Sequence, residues 1–235
     1  MAAKKTSAGK RRSASRSSLA DKKAWAVDVC QKLKRLYPQA KCALDYQNPL
    51  QLLVATILSA QCTDVRVNMV TPCLFDRYPT AKDLAGADLS DLESIIRSTG
   101  FFRNKAKNIK ACAQRLVDEF GGKVPRTMED LLSLAGVARK TANVVLGNAF
   151  GVPGFVVDTH VGRLSRRLGF TRQNDPVKVE REVMELLPAE DWTLMSHLLI
   201  SHGRATCQSR KPACDKCFFE ADCPKIGIGH PATKQ

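Results

Sequence analysis

Apolar residues recur along this chain at the three-to-four-residue spacing of helices, and strict alternation, the mark of a half-buried strand, is nearly absent. The first helical pattern begins at Ala20. Val27, Cys30, Leu33 and Leu36 recur at helical spacing with lysines between them, and Pro38 stops the run. A strongly apolar helix follows, with Pro49 near its start and Ser59 at its end. A third is predicted over 64–77. Ser90-Asp91-Leu92-Glu93 resembles a capping box opening the helix that carries Ile95 and Ile96. Further helices are predicted over 105–120, 158–168, 176–187 and 192–202. With no pair of strands in sight, the fold class is all-α.

Residues 130–150 read as helix, tight reversal, helix. Leu131, Leu132 and Leu134 form an apolar face that stops at Gly136, and the apolar run resumes at Ala142, Val144, Val145 and Leu146. Glycine suits the sharp turn because it adopts backbone angles that a side chain forbids. The free N–H groups opening the second helix form a ready anion site, for which a phosphate diester is suited. Lys140 falls in that first turn, where the positive end of the helix dipole should lower its pKa and make it a candidate nucleophile. The plain alternative is a helical corner with a solvated lysine. Gly100-Phe101-Phe102-Arg103-Asn104-Lys105-Ala106 echoes the Gly…Arg…Ala spacing of Gly136–Ala142 and suggests a second hairpin.

Charge sharpens the picture. The net charge is +14 over 235 residues, which points to a polyanion, nucleic acid before an acidic membrane surface. Residues 1–18 carry six of the basic residues and no acid, and read as a disordered tail touching DNA phosphates. Organellar or nuclear targeting by this tail is also compatible with its composition. The body is basic as well. No apolar run is long enough to span a bilayer and there is no secretory signal, so a soluble, cytoplasmic, nucleoid-associated protein is expected.

The nine cysteines divide unevenly. Five are scattered and read as small core residues. The other four, Cys207-x6-Cys214-x2-Cys217-x5-Cys223, read as a metal site. Spacing alone leaves zinc and an iron–sulfur cube both open. Arg204, Arg210, Lys211 and Lys216 surround the cluster, to offset thiolate charge, to touch phosphates, or as a solvated face.

Together these motifs resemble the endonuclease III family of DNA glycosylases over residues 20–224. Leu134–Ala142 is similar to the family's L-P-G-V-G-R-K-T-A, Val157-Asp158-Thr159-His160 to its V-D-T-H, and Leu58–Asp64 to its L-S-x-Q-x-T-D. The 6-2-5 cysteine spacing matches its [4Fe–4S] site. The resemblance implies a helical barrel over 43–153 with a helix-hairpin-helix, facing an iron–sulfur domain built from 19–42 plus 154–224, with 225–235 as a tail. It implies a monomer that binds duplex DNA carrying a damaged base or abasic site across the cleft, and flips the base out. By the same resemblance, Gly136, Val137, Ala138 and Arg139 contact DNA; Arg210 and Lys211, beside the cysteines, are the further candidates for DNA contact. Gln61 fills the space of the flipped base, though it also reads as a polar residue ending a core helix. Phe101, where the family often has Leu, wedges into the duplex. Two hairpin positions depart from the pattern: Ala135 replaces Pro and Ala138 replaces the second Gly.

The implied reaction removes oxidised pyrimidines and cuts 3′ to the abasic site. Lys140 supplies the primary amine for an imine, and Asp158 accepts a proton or steadies charge on the sugar. Asp158 also reads as a helix N-cap. The rivals are an adenine mismatch glycosylase, a thymine or uracil glycosylase without lyase activity, and a non-catalytic DNA-binding protein. Lys140 argues against the first two. The chain's end soon after the cluster also argues against the adenine enzyme. The pair Lys140 and Asp158 argues against the third.

Overall fold

A computed structural model describes residues 18–228, and within them it is helical, with no strand. Eleven α-helices follow in order: α1 (Leu19–Leu36), α2 (Pro49–Leu58), α3 (Asp64–Arg77), α4 (Ala81–Gly86), α5 (Leu89–Ile96), α6 (Phe102–Phe120), α7 (Met128–Leu132), α8 (Arg139–Ala149), α9 (Thr159–Arg167), α10 (Pro176–Met184) and α11 (Trp192–Ala205). None is long and apolar enough to cross a membrane. Residues 1–17 and 229–235, most of the two expected tails, lie outside the described residues.

Two apolar cores organise these helices. The first runs from Leu44 to Val156 and centres on α2, whose residues Leu52 to Leu58 are all buried. Leu74, Leu92, Ile96, Ile109, Leu116, Leu131 and Val145 close around it. The second joins Ala26, Val29, Cys30 and Leu33 of α1 to Phe155, Val161, Leu164, Leu168, Val183, Leu198, Leu199 and Phe219. The chain therefore leaves one core and returns to it more than a hundred residues later. Trp25 Nε1, for example, donates to Leu168 O at 2.8 Å.

Side-chain caps set most helix starts. Ser18, Asn48, Thr63, Thr80, Asp88, Thr127, Asp158 and Asp175 each accept a backbone N–H in the first turn of their helix. Such a cap stabilises a helix by about 1 kcal/mol. Two sequence expectations change here. The capping box at Ser90 is not made. α5 starts two residues earlier than that box would place it, because the Asp88 carboxylate reaches the Asp91 N–H at 2.9 Å, and Ser90 Oγ donates to that same carboxylate. On α1 the buried stripe is Ala26, Val29, Cys30 and Leu33. Val27 only flanks it and Leu36 is 43% exposed, because a 3.6-residue period carries both off the core-facing stripe.

Polar straps cross between the cores. Arg204 Nη2 pairs with Asp64 at 2.8 Å, and His197 Nε2 meets Asn148 Oδ1 at 2.8 Å. Arg139 of α8 grips Glu180 of α10 through three hydrogen bonds between 2.7 and 3.2 Å.

Candidate functional site

The hairpin between α7 and α8 turns at Gly136, with φ +76°. A Cβ there would sit 2.9 Å from Asn108 Cβ on α6, so both the backbone angle and the neighbouring helix demand glycine. After the turn the chain enters α8 with Ala138 as N-cap, which has no oxygen to offer and makes no side-chain cap. The N–H groups of Arg139, Lys140 and Thr141 are the orphan donors that open any helix, and here no side chain satisfies them. They form an outward-facing anion cradle at the positive end of the α8 dipole. Lys140 is exposed, with no hydrogen-bond or ion-pair partner among the described residues.

Two hairpin residues behave differently from the sequence expectation. Val137 is 7% exposed and belongs to the first core, and its N–H donates to Leu134 O at 3.2 Å. Neither its side chain nor its N–H is free for DNA, because the sharp turn folds this residue inward. The Arg139 side chain is half exposed but not unpaired. Its guanidinium is tied down by the Glu180 carboxylate, which raises its pKa further, and Glu180 itself is buried. Arg139 is therefore a strap holding the hairpin to α10. Only its backbone N–H belongs to the anion cradle.

Asp158 caps α9, accepting the Val161 N–H through Oδ1 at 2.8 Å. That bond fixes the carboxylate by one oxygen and leaves Oδ2 without a partner among the described residues. The helix Asp158 opens is packed hard against α11. A Cβ on Gly203 would lie 2.9 Å from His160 Nδ1 and 3.1 Å from Arg163 Nη2. Burial is the main cause that lowers the pKa of His160.

The second turn, at Gly100, precedes α6. Gly100 has φ +69° and Phe101 has φ +48°, a left-handed angle that is unfavourable for a residue with a side chain. Phe101 is 65% exposed and, like Ala138, provides no side-chain cap. The echo with the Gly136 hairpin thus extends to a glycine-initiated turn into an uncapped helix. It is out of register by one residue, since α6 begins at Phe102, the position matching Ala138. Arg97 and Arg103 flank the turn, their guanidinium carbons 5.9 and 5.1 Å from the Phe102 ring centre. Gln61, just past α2, is exposed and also left-handed, with φ +54°.

Cys207, Cys214, Cys217 and Cys223 line one largely apolar cavity with Leu164, Arg167 and His202. The residues that build it were not singled out by sequence. Arg167, only 8% exposed, reaches from α9 to Cys207 O, Gln208 O and Ser209 O, and lies 3.3 Å from Cys207 Sγ. Arg163 adds bonds to Cys207 O and Gly203 O. His202 sits between Tyr37 Oη, 3.0 Å from Nδ1, and Cys217 Sγ, 3.5 Å from Nε2. Beyond Cys223 the chain stays attached, with Ile226 N donating to Arg167 O. Among the described residues no three His, Cys, Asp or Glu side chains are arranged to hold one metal ion. Arg210 and Lys211 are exposed on the loop between Cys207 and Cys214.

Comparison with known proteins follows the same lines. Residues 54–189 match the model of the HhH-GPD superfamily of base excision DNA repair proteins. The chain is 58% identical over 207 residues to an endonuclease III of Synechocystis, covering 88% of this chain and 94% of that protein. It is 46% identical to the endonuclease III of Bacillus subtilis, covering 89% of this chain and 94% of the relative. A solved structure of a trapped endonuclease III–DNA covalent intermediate superimposes with a TM-score of 0.82 at 44% identity, covering 86% of this chain and 96% of that one.

Proposed function

The chain belongs to the HhH-GPD superfamily and, within it, to the endonuclease III family of base excision repair DNA glycosylases with AP lyase activity, and from that premise we propose that Lys140 is its nucleophile, Asp158 its carboxylate and oxidised pyrimidines in duplex DNA its substrates. The observation that carries this reading is the start of α8: an exposed amine with no partner beside an uncapped cradle of backbone donors. The related endonuclease III forms a covalent intermediate with DNA, and a free primary amine is the group that would form it here.

The reaction follows from these groups. The cradle holds a phosphate of the damaged strand next to Lys140. Unprotonated Nζ attacks sugar C1′, and the C1′–N bond to the base breaks, its electron pair leaving with the base, which takes up a proton. Asp158 steadies the positive charge developing on the sugar and accepts the proton that the attacking amine sheds. Its capping bond to Val161 fixes the carboxylate while Oδ2 remains available. The sugar ring opens to an imine between Nζ and C1′. Loss of a C2′ proton then expels the 3′ phosphate, and water releases the lysine.

The two apolar cores serve as the two domains flanking the DNA cleft. Gln61 and Phe101 enter the duplex where the damaged nucleotide leaves, and Arg210 and Lys211 meet phosphates beside the cysteine loop. The protein works as a monomer on chromosomal DNA in the cytoplasm. The four cysteines fit a [4Fe–4S] cluster. They line one largely apolar cavity, yet are not arranged around a single ion, and a buried guanidinium stands by to offset thiolate charge. When bound, such a cluster cross-links the 207–223 loop by iron–thiolate bonds. Arg163, Arg167 and His202 orient that loop from α9 and α11.

Borohydride, which reduces an imine to a stable amine, tests the reading. It should trap the wild-type protein on a duplex with one oxidised pyrimidine. Lys140→Ala and Lys140→Arg should both lose trapping and base release while still binding the duplex, since a guanidinium stays protonated. Undiminished trapping by Lys140→Ala places the nucleophile elsewhere.

A further inference from the structure

Lys105 is an outlier among the lysines. It is 5% exposed in the first core, and burial lowers its pKa. A lysine is seldom buried without a fixed partner. Its ammonium donates at 2.8 Å to Leu58 O and at 2.8 Å to Thr99 O. Neither carbonyl accepts a backbone N–H in the turns that follow. One is an orphan acceptor at the end of α2, and the other ends the short 3₁₀ turn Arg97–Thr99 before α6.

The two carbonyls stand at the roots of two particular loops. Gln61 follows Leu58 by three residues and Phe101 follows Thr99 by two. Three non-glycine residues among the described ones have positive φ, and these are two of them. Both are exposed, yet both hold a backbone conformation that persists only where the surroundings impose it. One buried ammonium thus joins the bases of two strained, outward-pointing tips that lie forty residues apart in sequence.

We propose that Lys105 is a positioning residue for base extrusion, a clamp that holds the Gln61 and Phe101 loops in one register so that both enter the duplex together. This builds on the insertion roles given to Gln61 and Phe101 above. The ammonium touches no substrate; it acts through the two loops. A single charge bonded to both roots couples them, so neither tip can withdraw without giving up a charge-assisted bond. The echo of the Gly136 hairpin has a purpose in this light: one turn grips the backbone, and the other, braced on Lys105, separates the bases.

The test uses a duplex with an abasic-site analogue opposite 2-aminopurine, whose fluorescence rises when stacking is lost. Lys105→Met, close in length and without donors, should lower the insertion step on the order of tenfold or more, while affinity for undamaged duplex stays within about twofold. Gln61→Ala and Phe101→Ala should each lower the same step. Adding Lys105→Met to either should cost less than the product of the single effects, the signature of groups acting as one unit. A lysine that merely stabilises the core would lower the melting temperature and leave the fluorescence step of the folded protein unchanged, and that result overturns the clamp. If Gln61→Ala and Phe101→Ala leave the step unchanged, the insertion reading itself fails, a different outcome. Should Lys105→Met not fold, Lys105→Gln, which keeps an amide donor but not the charge, carries the same measurement.

Discussion

Replacing Asp158 separates its two roles, because Asn and Ala remove different things. The cap is one hydrogen bond, Oδ1 to the Val161 N–H at 2.8 Å. Asp158→Asn keeps a carbonyl oxygen in that place and gives up only the charge facing the helix dipole, a loss of about 0.3–1 kcal/mol. Asp158→Ala deletes the acceptor and costs about 1 kcal/mol. For a chain of this size each kcal/mol lowers the melting temperature by about 2–4 °C. Neither change unfolds the protein at 25 °C, so stability alone leaves activity near the wild-type level in both. A carboxylate serving the reaction predicts another pattern. Asn and Ala should both slow base release by about a hundredfold or more, equivalent to about 2.7 kcal/mol of barrier, although Ala, which loses the acceptor as well as the charge, melts earlier than Asn. The assay is single-turnover release of an oxidised pyrimidine from duplex DNA, set beside a thermal melt of each variant. If Asp158→Asn releases base within threefold of the wild-type rate, the aspartate is a cap and no more.

Three further outcomes are expected. Arg139→Met should destabilise the protein by about 2 kcal/mol in urea, because it leaves the buried Glu180 carboxylate unpaired, yet the salt dependence of DNA binding should not change; a shallower slope would return the guanidinium to the phosphates. Deleting residues 1–17, with six basic side chains, should reduce the slope of log K against log salt by about 0.9 for each phosphate that the tail no longer neutralises, and an equal slope would show that the tail does not touch DNA. Protein purified without oxygen should carry four irons and four sulfides per chain, the composition of the cube, whereas stoichiometric zinc from iron-rich medium would overturn the cluster assignment.

The sequence made the long helices legible because their burial is periodic, and it made their starts legible where a Ser, Thr, Asn or Asp caps them. It did not reveal α4, whose six residues are too few to show a period. It misjudged α1 because large side chains such as Val27 and Leu36 draw the eye more than Ala26, which lies in the stripe. The motif cysteines stood out by spacing, but the side chains that shape their cavity did not. Arg167 lies forty residues before the Cys207 it touches, and nothing local marks that meeting. The hairpin was visible from Gly136 and the helices around it. The inward turn of Val137 and the capture of Arg139 by Glu180 depend on neighbours that only tertiary packing supplies. Lys105 was read as part of an echo and not as a buried cation, since a lysine in a polar stretch is ordinarily solvated.

The return of the chain to its first helix also sets a timetable. Tyr37 waits for His202, 165 residues further on, before its hydroxyl has a partner, and the apolar stripe of α1 waits at least as long for Leu198 and Leu199. At about 5–20 residues per second, synthesis takes on the order of 10–30 seconds to cover that interval. The first core, continuous from Leu44 to Val156, can close in the meantime. Once Val156 has emerged, the polypeptide passes the last part of that interval with its first core able to close and an unsatisfied greasy helix upstream of it, a natural target for a holding chaperone. Cys207, Cys214, Cys217 and Cys223 leave the ribosome after every residue of the first core, so the proposed cluster would be delivered to a molecule whose first core can already have closed.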